Sequence, residues 1–185
     1  MIAMKPLTIL ATGTIGWGHM NACAGALEQV RKRGHRVVFV TREGFRDHLS
    51  SLGYEVYVYE SEKPDESKGN ASQQFATDLI TQKVVGPSEP YENLVATFAY
   101  LDGPERVRDL REQDLGMRQA IQLFKPDLIY YDANILLPSI YYSGIPWVKN
   151  YCTTPQFYVE EDTIPPGGSG TFQICLFVNL KLISN

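Results

Sequence analysis

A glycine-rich turn between an apolar run and a helical segment constrains the fold of this chain more than any other feature. The stretch from Leu7 to Thr41 has the sequence LTILATGTIGWGHMNACAGALEQVRKRGHRVVFVT. Its apolar start is followed by the turn at 13–18, a helical segment ending at Gly34, and a second apolar run at 37–40. Strand, turn, helix and strand follow one another within the length of one βαβ unit. We therefore predict a parallel sheet, in which ligands bind just beyond the carboxyl ends of the strands.

The length and charge of the chain constrain its number of domains and its partners. A chain of 185 residues is long enough for one domain with a substantial core and too short for two ordinary ones. The net charge of −4 argues against nucleic acid as a partner, because neutralising phosphates requires clustered Lys and Arg. The tight basic cluster at 31–33 falls at the end of the predicted helix, where cations complement the helix dipole.

The cysteines and histidines show no motif spacing. The three cysteines are far apart in the sequence: Cys23, Cys152 and Cys175. This odd number favours a reducing compartment over a disulfide framework, and we predict a cytoplasmic location. The three histidines at 19, 35 and 48 lack metal-ligand spacing, so no metal site is predicted. No apolar run approaches the roughly 20 residues of a membrane helix, and the first apolar run is assigned to a buried strand.

The periodicity of the first sixty residues predicts β-α-β-α-β. The first helix is expected to begin near Asn21, a good N-cap residue, and to stop at Gly34. Its predicted apolar stripe is formed by Ala22, Ala26, Leu27 and Val30. The second strand is predicted at 36–41, a short helix at about 45–52, and the third strand at 54–59. This order is the first half of a doubly wound sheet.

The rest of the chain completes the predicted sheet after a long helical insertion. A polar loop at 60–74 is followed by three helical stretches, separated by Gly-Pro breaks, within an insertion at 74–124. The fourth strand is predicted at 128–131, a short helix from Pro138, and the fifth strand at about 147–152. We thus predict a Rossmann-like doubly wound α/β domain at 1–159, followed by a Pro/Gly-rich linker and an atypical, alternating tail at 160–185.

The predicted topology brings two distant polar residues to one crevice. In the strand order 3-2-1-4-5, strands one and four are neighbours. His19 follows strand one, and Asp132 ends strand four. A carboxylate bonded to one ring nitrogen fixes the tautomer and leaves the other nitrogen free as a base. The alternatives are a structural or exposed histidine, and an aspartate that caps the next helix.

The same turn also permits a dinucleotide-binding interpretation. Gly16-Trp17-Gly18 matches the start of a G-x-G-x-x-G fingerprint, but Asn21 occupies the third glycine position. The residues at 41–43, which close strand two, would then face a ribose or its 2′-phosphate. This alternative is an NADP-binding domain of an oxidoreductase.

Two segments resemble UDP-glycosyltransferases of the GT-B fold, glycosyltransferase family 1. The segment GWGHMNACAGALEQVRKRGHRVVFV at 16–40 looks like the start of their N-terminal, acceptor-binding domain. The segment KPDLIYYDANILLPSIYYSGIPWVKN at 125–150 looks like a later part of that domain. The resemblance covers about residues 5–166. The Gly-His step at the head of the helix is fairly specific when it is combined with the Pro-Asp-x-x-x-x-Asp strand.

The resemblance implies an inverting hexosyltransferase. His19 would deprotonate an acceptor hydroxyl, Asp132 would orient His19, and the oxygen would displace UDP from the sugar. The family needs no metal or other cofactor, and the UDP-sugar is a co-substrate. The insertion at 74–124 would form part of the wall for a small, largely apolar acceptor. Substrate contacts are assigned to Trp17, Gly18, Asn134 and Phe98.

The chain also departs from the family pattern. A GT-B enzyme has a second Rossmann-like domain that holds most of the nucleotide sugar, and we expect this chain to supply only the first. The chain is therefore expected to be a fragment, a truncated isoform, or a partner of a separate donor-binding chain. No membrane anchor is recognisable in this sequence, and in this respect it resembles the soluble, bacterial-type members of the family. Three hypotheses stay open: an enzyme complete only with a donor half, a non-catalytic acceptor-binding fragment, and the NADP-binding domain.

Overall fold

The sheet has the predicted all-parallel, doubly wound topology. A computed structural model describes residues 5–62, 71–133 and 135–152. Its five strands are β1 (Thr8–Gly13), β2 (Arg36–Thr41), β3 (Glu55–Val58), β4 (Leu128–Asp132) and β5 (Trp147–Lys149). Their order in the sheet is β3-β2-β1-β4-β5, and every neighbouring pair is parallel. The predicted Rossmann-like fold class is therefore confirmed.

Six α-helices and one short 3-10 helix connect the strands within the described residues. The α-helices are α1 (Trp17–Lys32), α2 (Arg46–Ser51), α3 (Ala71–Thr81), α4 (Pro90–Leu101), α5 (Pro104–Phe124) and α6 (Pro138–Tyr141). The 3-10 turn Glu43–Phe45 directly precedes α2. The three helices α3 to α5 fill the connection between β3 and β4, where the sequence predicts three helical stretches. Among the described residues, no helix is long and apolar enough to cross a membrane.

The sheet separates two buried clusters, one on each face. The first joins the sheet to α1 and α2, with Phe39, Met20 and Leu49 fully buried. The second joins it to α5 and α6, with Tyr131 and Met117 fully buried. Since both faces of the sheet are covered, its strands carry nearly continuous apolar sequences. Each face of β1 therefore contributes to a different core.

The expected start of helix α1 is wrong, and its expected apolar stripe is only partly correct. The helix begins at Trp17, four residues before Asn21, and its N-cap is the extended residue Gly16. The side-chain oxygen of Asn21 instead bonds His48 Nε2 at 2.7 Å. Of the predicted apolar stripe, Leu27 is buried and Val30 packs against the core, whereas Ala26 is exposed. The other buried residues of the helix are Met20, Cys23 and Ala24. The earlier start places His19 in the first turn of the helix.

Helix α5 packs closely against the residue that follows β3. Gly116 is buried, and a Cβ atom added there would lie 2.5 Å from Cγ of Tyr59. The absence of a side chain at 116 therefore lets the helix approach the sheet. One turn earlier, Gln113 Nε2 donates a hydrogen bond of 2.8 Å to the carbonyl oxygen of Gly13. Helix α5 thus contacts both the core and the turn after β1.

Other sequence expectations have mixed outcomes. Strand β5 is shorter than predicted and ends at Lys149. Gly34 has the positive φ of 91° that its predicted role as a helix stop requires. The predicted tail at 160–185 and Asn134 lie outside the described residues. The domain boundaries at 159 and 160 stay predictions.

Candidate active site at the ends of strands 1 and 4

The carboxyl ends of β1 and β4 are held together by backbone pairing. Gly13 is the register partner of Asp132, and Thr14 N donates a hydrogen bond of 2.8 Å to the Asp132 carbonyl. A Cβ atom at Gly13 would lie 2.8 Å from that carbonyl oxygen, so this close approach requires glycine. The backbone of Asp132 is therefore fixed beside the turn that leads to α1.

Helix α5 supports the same turn from the other face of the sheet. Gln113 is buried, and its side-chain amide donates to the Gly13 carbonyl at 2.8 Å and to Thr12 Oγ1 at 3.2 Å. Thr12 Oγ1 in turn donates to the Val40 carbonyl at 2.8 Å. These bonds satisfy polar groups that would be costly to bury alone. Sequence analysis did not identify Gln113 as part of the site.

His19 and Asp132 lie next to each other, although more than a hundred residues separate them in sequence. The distance from His19 Nδ1 to Asp132 Oδ2 is 3.6 Å, slightly longer than a hydrogen bond. The Asp132 side chain is 2% exposed and that of His19 is 22% exposed. The imidazole therefore contacts solvent while the carboxylate is buried behind it.

Cys152 is a third member of this cluster that the sequence analysis missed. Its Sγ atom lies 2.9 Å from His19 Nδ1, and its backbone N–H donates to Asp132 Oδ1 at 3.3 Å. Partial desolvation of the thiol, reinforced by the Asp132 carboxylate, raises the pKa of Cys152 to about 11. The pairing of Asn150 N with the Tyr131 carbonyl at 2.7 Å continues past β5 and brings Cys152 to this edge. The sequence signal that could have identified Cys152 is its position at the end of the predicted fifth strand, which neighbours strand four in the predicted order.

A second thiol lies behind the carboxylate. Cys23, on the buried face of α1, donates a long hydrogen bond of 3.8 Å to Asp132 Oδ2. Burial, reinforced by the charge of Asp132, raises the pKa of the Cys23 thiol well above its usual value. The carboxylate thus lies among Cys23, Cys152 and His19. This arrangement differs from that of a helix-capping aspartate, and α6 instead receives a carboxylate from α5, where Asp114 Oδ1 accepts from Ser139 N at 2.7 Å.

His19 faces a large cleft above the carboxyl ends of β1, β2 and β3. The cleft has a volume of about 1510 Å³ and is bounded by the turn before α1, the 3-10 turn after β2, and the helices α3 to α5. Trp17 and Gly18, to which the sequence analysis assigned substrate contacts, both line it. Trp17 packs its ring 4.8 Å from that of Phe45. Phe98 is 61% exposed and does not line the cleft, whereas Tyr100 on the same helix does.

The residues at the end of β2 are engaged in ion pairs. Arg42 lies 2.9 Å from Asp109 and 3.4 Å from Glu112, both on α5. Glu43 pairs with Arg46 at 2.8 Å. An arginine held by two carboxylates is poorly suited to a ribose 2′-phosphate. Together with the Asn21 that replaces the third glycine, this geometry does not favour the NADP-binding alternative.

The structure is a Rossmann-like domain. Its cluster of His19, Asp132 and Cys152 lies at the switch point of the sheet, between the carboxyl ends of β1 and β4. Among solved structures, CalG4, the calicheamicin glycosyltransferase, matches with a TM-score of 0.51 and 25% identity over 80% of this chain and 33% of its own. SsfS6, a glycosyltransferase of Streptomyces sp. SF2575, matches with a TM-score of 0.55 and 16% identity over 78% of this chain and 39% of its own. No protein-family model and no curated protein matches the chain.

The chain has the fold of a glycosyltransferase domain of the GT-B type. It spans between a third and two fifths of the length of CalG4 and SsfS6. The resemblance noted from the sequence at 16–40 and 125–150 therefore agrees with the fold of these solved glycosyltransferases.

Proposed function

We propose that the chain is the acceptor-binding part of an inverting, UDP-sugar-dependent glycosyltransferase. In this proposal it binds a small, largely apolar molecule and presents one of its hydroxyl groups for transfer of a hexose. The observation that carries the proposal is the proximity of His19 and Asp132, 3.6 Å apart at the cleft of a GT-B-type fold.

His19 would act as the general base through Nε2. The Nδ1 side of its ring faces Asp132 and Cys152, which leaves Nε2 as the nitrogen that can accept a proton from an acceptor hydroxyl. This role requires the tautomer that carries its proton on Nδ1, and a buried carboxylate beside Nδ1 favours that tautomer. Asp132 would also stabilise the imidazolium formed after proton transfer. The movement needed for a direct hydrogen bond is small, since such contacts often tighten only when substrate binds.

The transfer itself would be a single displacement. The acceptor oxygen loses its proton to His19 and forms a bond to the anomeric carbon of the sugar, while the bond from that carbon to the UDP oxygen breaks. Attack on the face opposite UDP inverts the configuration at this carbon. Negative charge leaves with UDP, and the proton stays on His19 until it is released to solvent.

The lining of the cleft supports an acceptor that is largely apolar. Ile15, Trp17, Phe45 and Tyr100 contribute apolar surface, and His19 also lines the cleft. Ligand sites commonly combine apolar walls with a few polar groups that fix orientation. The volume of about 1510 Å³ exceeds that of typical small-molecule sites, about 300–1,000 Å³. We infer that the cleft accommodates a polycyclic or extended acceptor.

The donor would be bound mainly by a further domain or a separate chain. This inference is supported by the share of the solved glycosyltransferases that the chain spans, 33% of CalG4 and 39% of SsfS6. The 185 residues alone are therefore expected to bind acceptor with little or no transfer activity. The second candidate function is acceptor binding without catalysis. It is favoured by the same observation, that the chain spans less than half of CalG4 and SsfS6.

The test combines the chain with a donor-binding domain and compares two histidine variants. UDP release and glycosylated product are measured with a UDP-sugar and a panel of phenolic acceptors. His19→Ala is expected to lower kcat by about 10²–10⁴-fold, the usual contribution of a positioned base. His35→Ala is the matched control, since His35 lies just before β2, at the amino ends of the strands and away from the cleft, where its Nδ1 accepts a hydrogen bond from Leu7 N.

The control is expected to retain a rate close to that of the unmodified chain. Transfer that survives His19→Ala would refute the assignment of His19 as the base. Acceptor binding without transfer, for every donor domain supplied, would favour the second candidate.

A further inference from the structure

We propose that His19, Asp132 and Cys152 form a binding site for Zn²⁺. Their ligand atoms, one imidazole nitrogen, one carboxylate oxygen and one thiol sulfur, all lie within 4.8 Å of one another. The three residues come from α1, the end of β4 and the segment after β5. They are too far apart in the sequence to match a short zinc-binding motif. The sheet topology, rather than a local sequence pattern, brings them together.

The geometry requires only small movements to reach coordination distances. Tetrahedral zinc, with bonds of about 2.0–2.3 Å, places neighbouring ligand atoms about 3.3–3.6 Å apart. The distance from His19 Nδ1 to Asp132 Oδ2 is already 3.6 Å. The distance from His19 Nδ1 to Cys152 Sγ is 2.9 Å and would lengthen by less than about 1 Å. Cys152 is exposed and follows the last described strand, so its side chain has room to adjust.

The surroundings of the cluster suit a divalent ion. One thiolate and one carboxylate would balance the two positive charges, and the thiol proton would pass to solvent on binding. The second oxygen of Asp132 accepts from Cys152 N at 3.3 Å, a supporting contact of the kind that orients metal ligands. The exposed edge of the cluster allows a water molecule to complete the coordination, as in zinc sites with three protein ligands.

The site would couple zinc to the proposed activity. A bound ion would take the lone pair of His19 Nδ1, which forces the ring proton onto Nε2, the nitrogen assigned as the base. It would also engage the Asp132 carboxylate, so that neither residue could act in proton transfer. Zn²⁺ would then act as an inhibitor of transfer rather than as a cofactor. This consequence rests on the proposed function, whereas binding of the ion rests only on the three side chains.

The test measures metal binding by the full 185-residue chain without any sugar substrate, so it does not depend on activity. The chain, reduced with a non-thiol reductant, is titrated with CoCl₂, and the sulfur-to-cobalt charge-transfer absorption is recorded. Competition with ZnCl₂ then gives the affinity for zinc. We expect the unmodified chain to bind one equivalent and to show the thiolate absorption.

Two ligand variants and one control make the test specific. Loss of a supporting partner already weakens metal sites by 10–100-fold, so Cys152→Ser and His19→Gln are expected to weaken Zn²⁺ binding by about 100-fold or more. Cys152→Ser should also abolish the charge-transfer band. Cys175→Ser, which removes a thiol outside the described residues, is the control and should bind like the unmodified chain. Circular dichroism of the metal-free variants verifies that they fold.

Zinc affinity retained in either ligand variant would overturn the proposal. So would a charge-transfer band that is lost in Cys175→Ser and kept in Cys152→Ser, because another thiol would then be the ligand.

Discussion

The contact between Gly116 and Tyr59 makes a specific prediction about stability. A methyl group at 116 would lie 2.5 Å from Tyr59 Cγ and 2.8 Å from Cδ1, whereas carbon atoms pack at about 3.5–4.0 Å. Tyr59 is 2% exposed, and its backbone N–H bonds the Thr41 carbonyl at 3.1 Å. The nearest atom of all is Cβ of Tyr59, and because Cβ does not move when the side-chain rotamer changes, no rotamer change removes the clash. Gly116→Ala must therefore push α5 away from the sheet by roughly 1 Å.

A matched glycine separates this clash from the intrinsic preference of alanine for helices. Gly25, in the interior of α1, is exposed and has no atom within 4 Å of the position of an added Cβ. Gly25→Ala should raise the free energy of unfolding by about 1 kcal/mol. Gly116→Ala has the same helix preference but adds an overpacking cost of about 1–3 kcal/mol. The difference between the two variants, about 1–3 kcal/mol, measures the packing alone.

Equilibrium unfolding in urea, followed by circular dichroism, measures this difference. We expect Gly25→Ala to unfold at higher urea than the unmodified chain and Gly116→Ala to unfold at the same or lower urea, with similar m-values. If Gly116→Ala proved as stable as Gly25→Ala, α5 would not pack on Tyr59 as described. A lower m-value for Gly116→Ala would instead indicate a loosened native state.

Two further predictions concern buried polar groups. Gln113→Leu should lower the free energy of unfolding by about 1–3 kcal/mol, because the Gly13 carbonyl loses its buried donor. Gln122→Leu, at an exposed position of the same helix, is the control and should change the free energy of unfolding by less than about 0.5 kcal/mol in the same urea assay. Equal effects of the two substitutions would contradict the role of Gln113. Burial raises the pKa of the Tyr59 phenol in the native state. In the unfolded chain the phenol releases its proton near its ordinary pKa of about 10, whereas in the native state it stays protonated. The free energy of unfolding must therefore fall as pH rises above about 10. Tyr59→Phe should flatten this alkaline loss in urea midpoints measured between about pH 8 and 12, and parallel curves would refute the assignment.

The topology was predictable because it depends on signals repeated along the chain. Apolar runs, helical periodicity and Gly or Pro breaks recur in the order that a doubly wound sheet requires, and the strand order 3-2-1-4-5 follows from that pattern. The proximity of His19 and Asp132 follows in turn from the neighbouring positions of β1 and β4. The strand order and the proximity of these two residues depend on the type and order of the helices and strands, and not on the exact residue at which each one begins.

The remaining features depend on contacts that no single segment encodes. Asn21 has the chemistry of an N-cap, yet its side chain bonds His48, and the extended backbone at Gly16 begins the helix instead. Cys152 is 133 residues from His19, and their contact arises only when the segment after β5 pairs beside β4. The role of Gly116 likewise depends on Tyr59, from a strand end far away in sequence.

The layout of helices α3 to α5 suggests where this domain tolerates exchange. Helix α5 contributes Met117 and Ala120 to a buried cluster and packs the partly buried Leu110, Ile121 and Phe124 against it. No described side chain of α3 or α4 belongs to either cluster. The break at Gly103-Pro104 divides these two kinds of helix. Segments ending before this break are therefore suitable for grafting between related domains to alter the cleft. A graft that includes α5 would have to carry a compatible partner for Gly116 and Gln113, and chimeras that ignore this boundary should fail to fold.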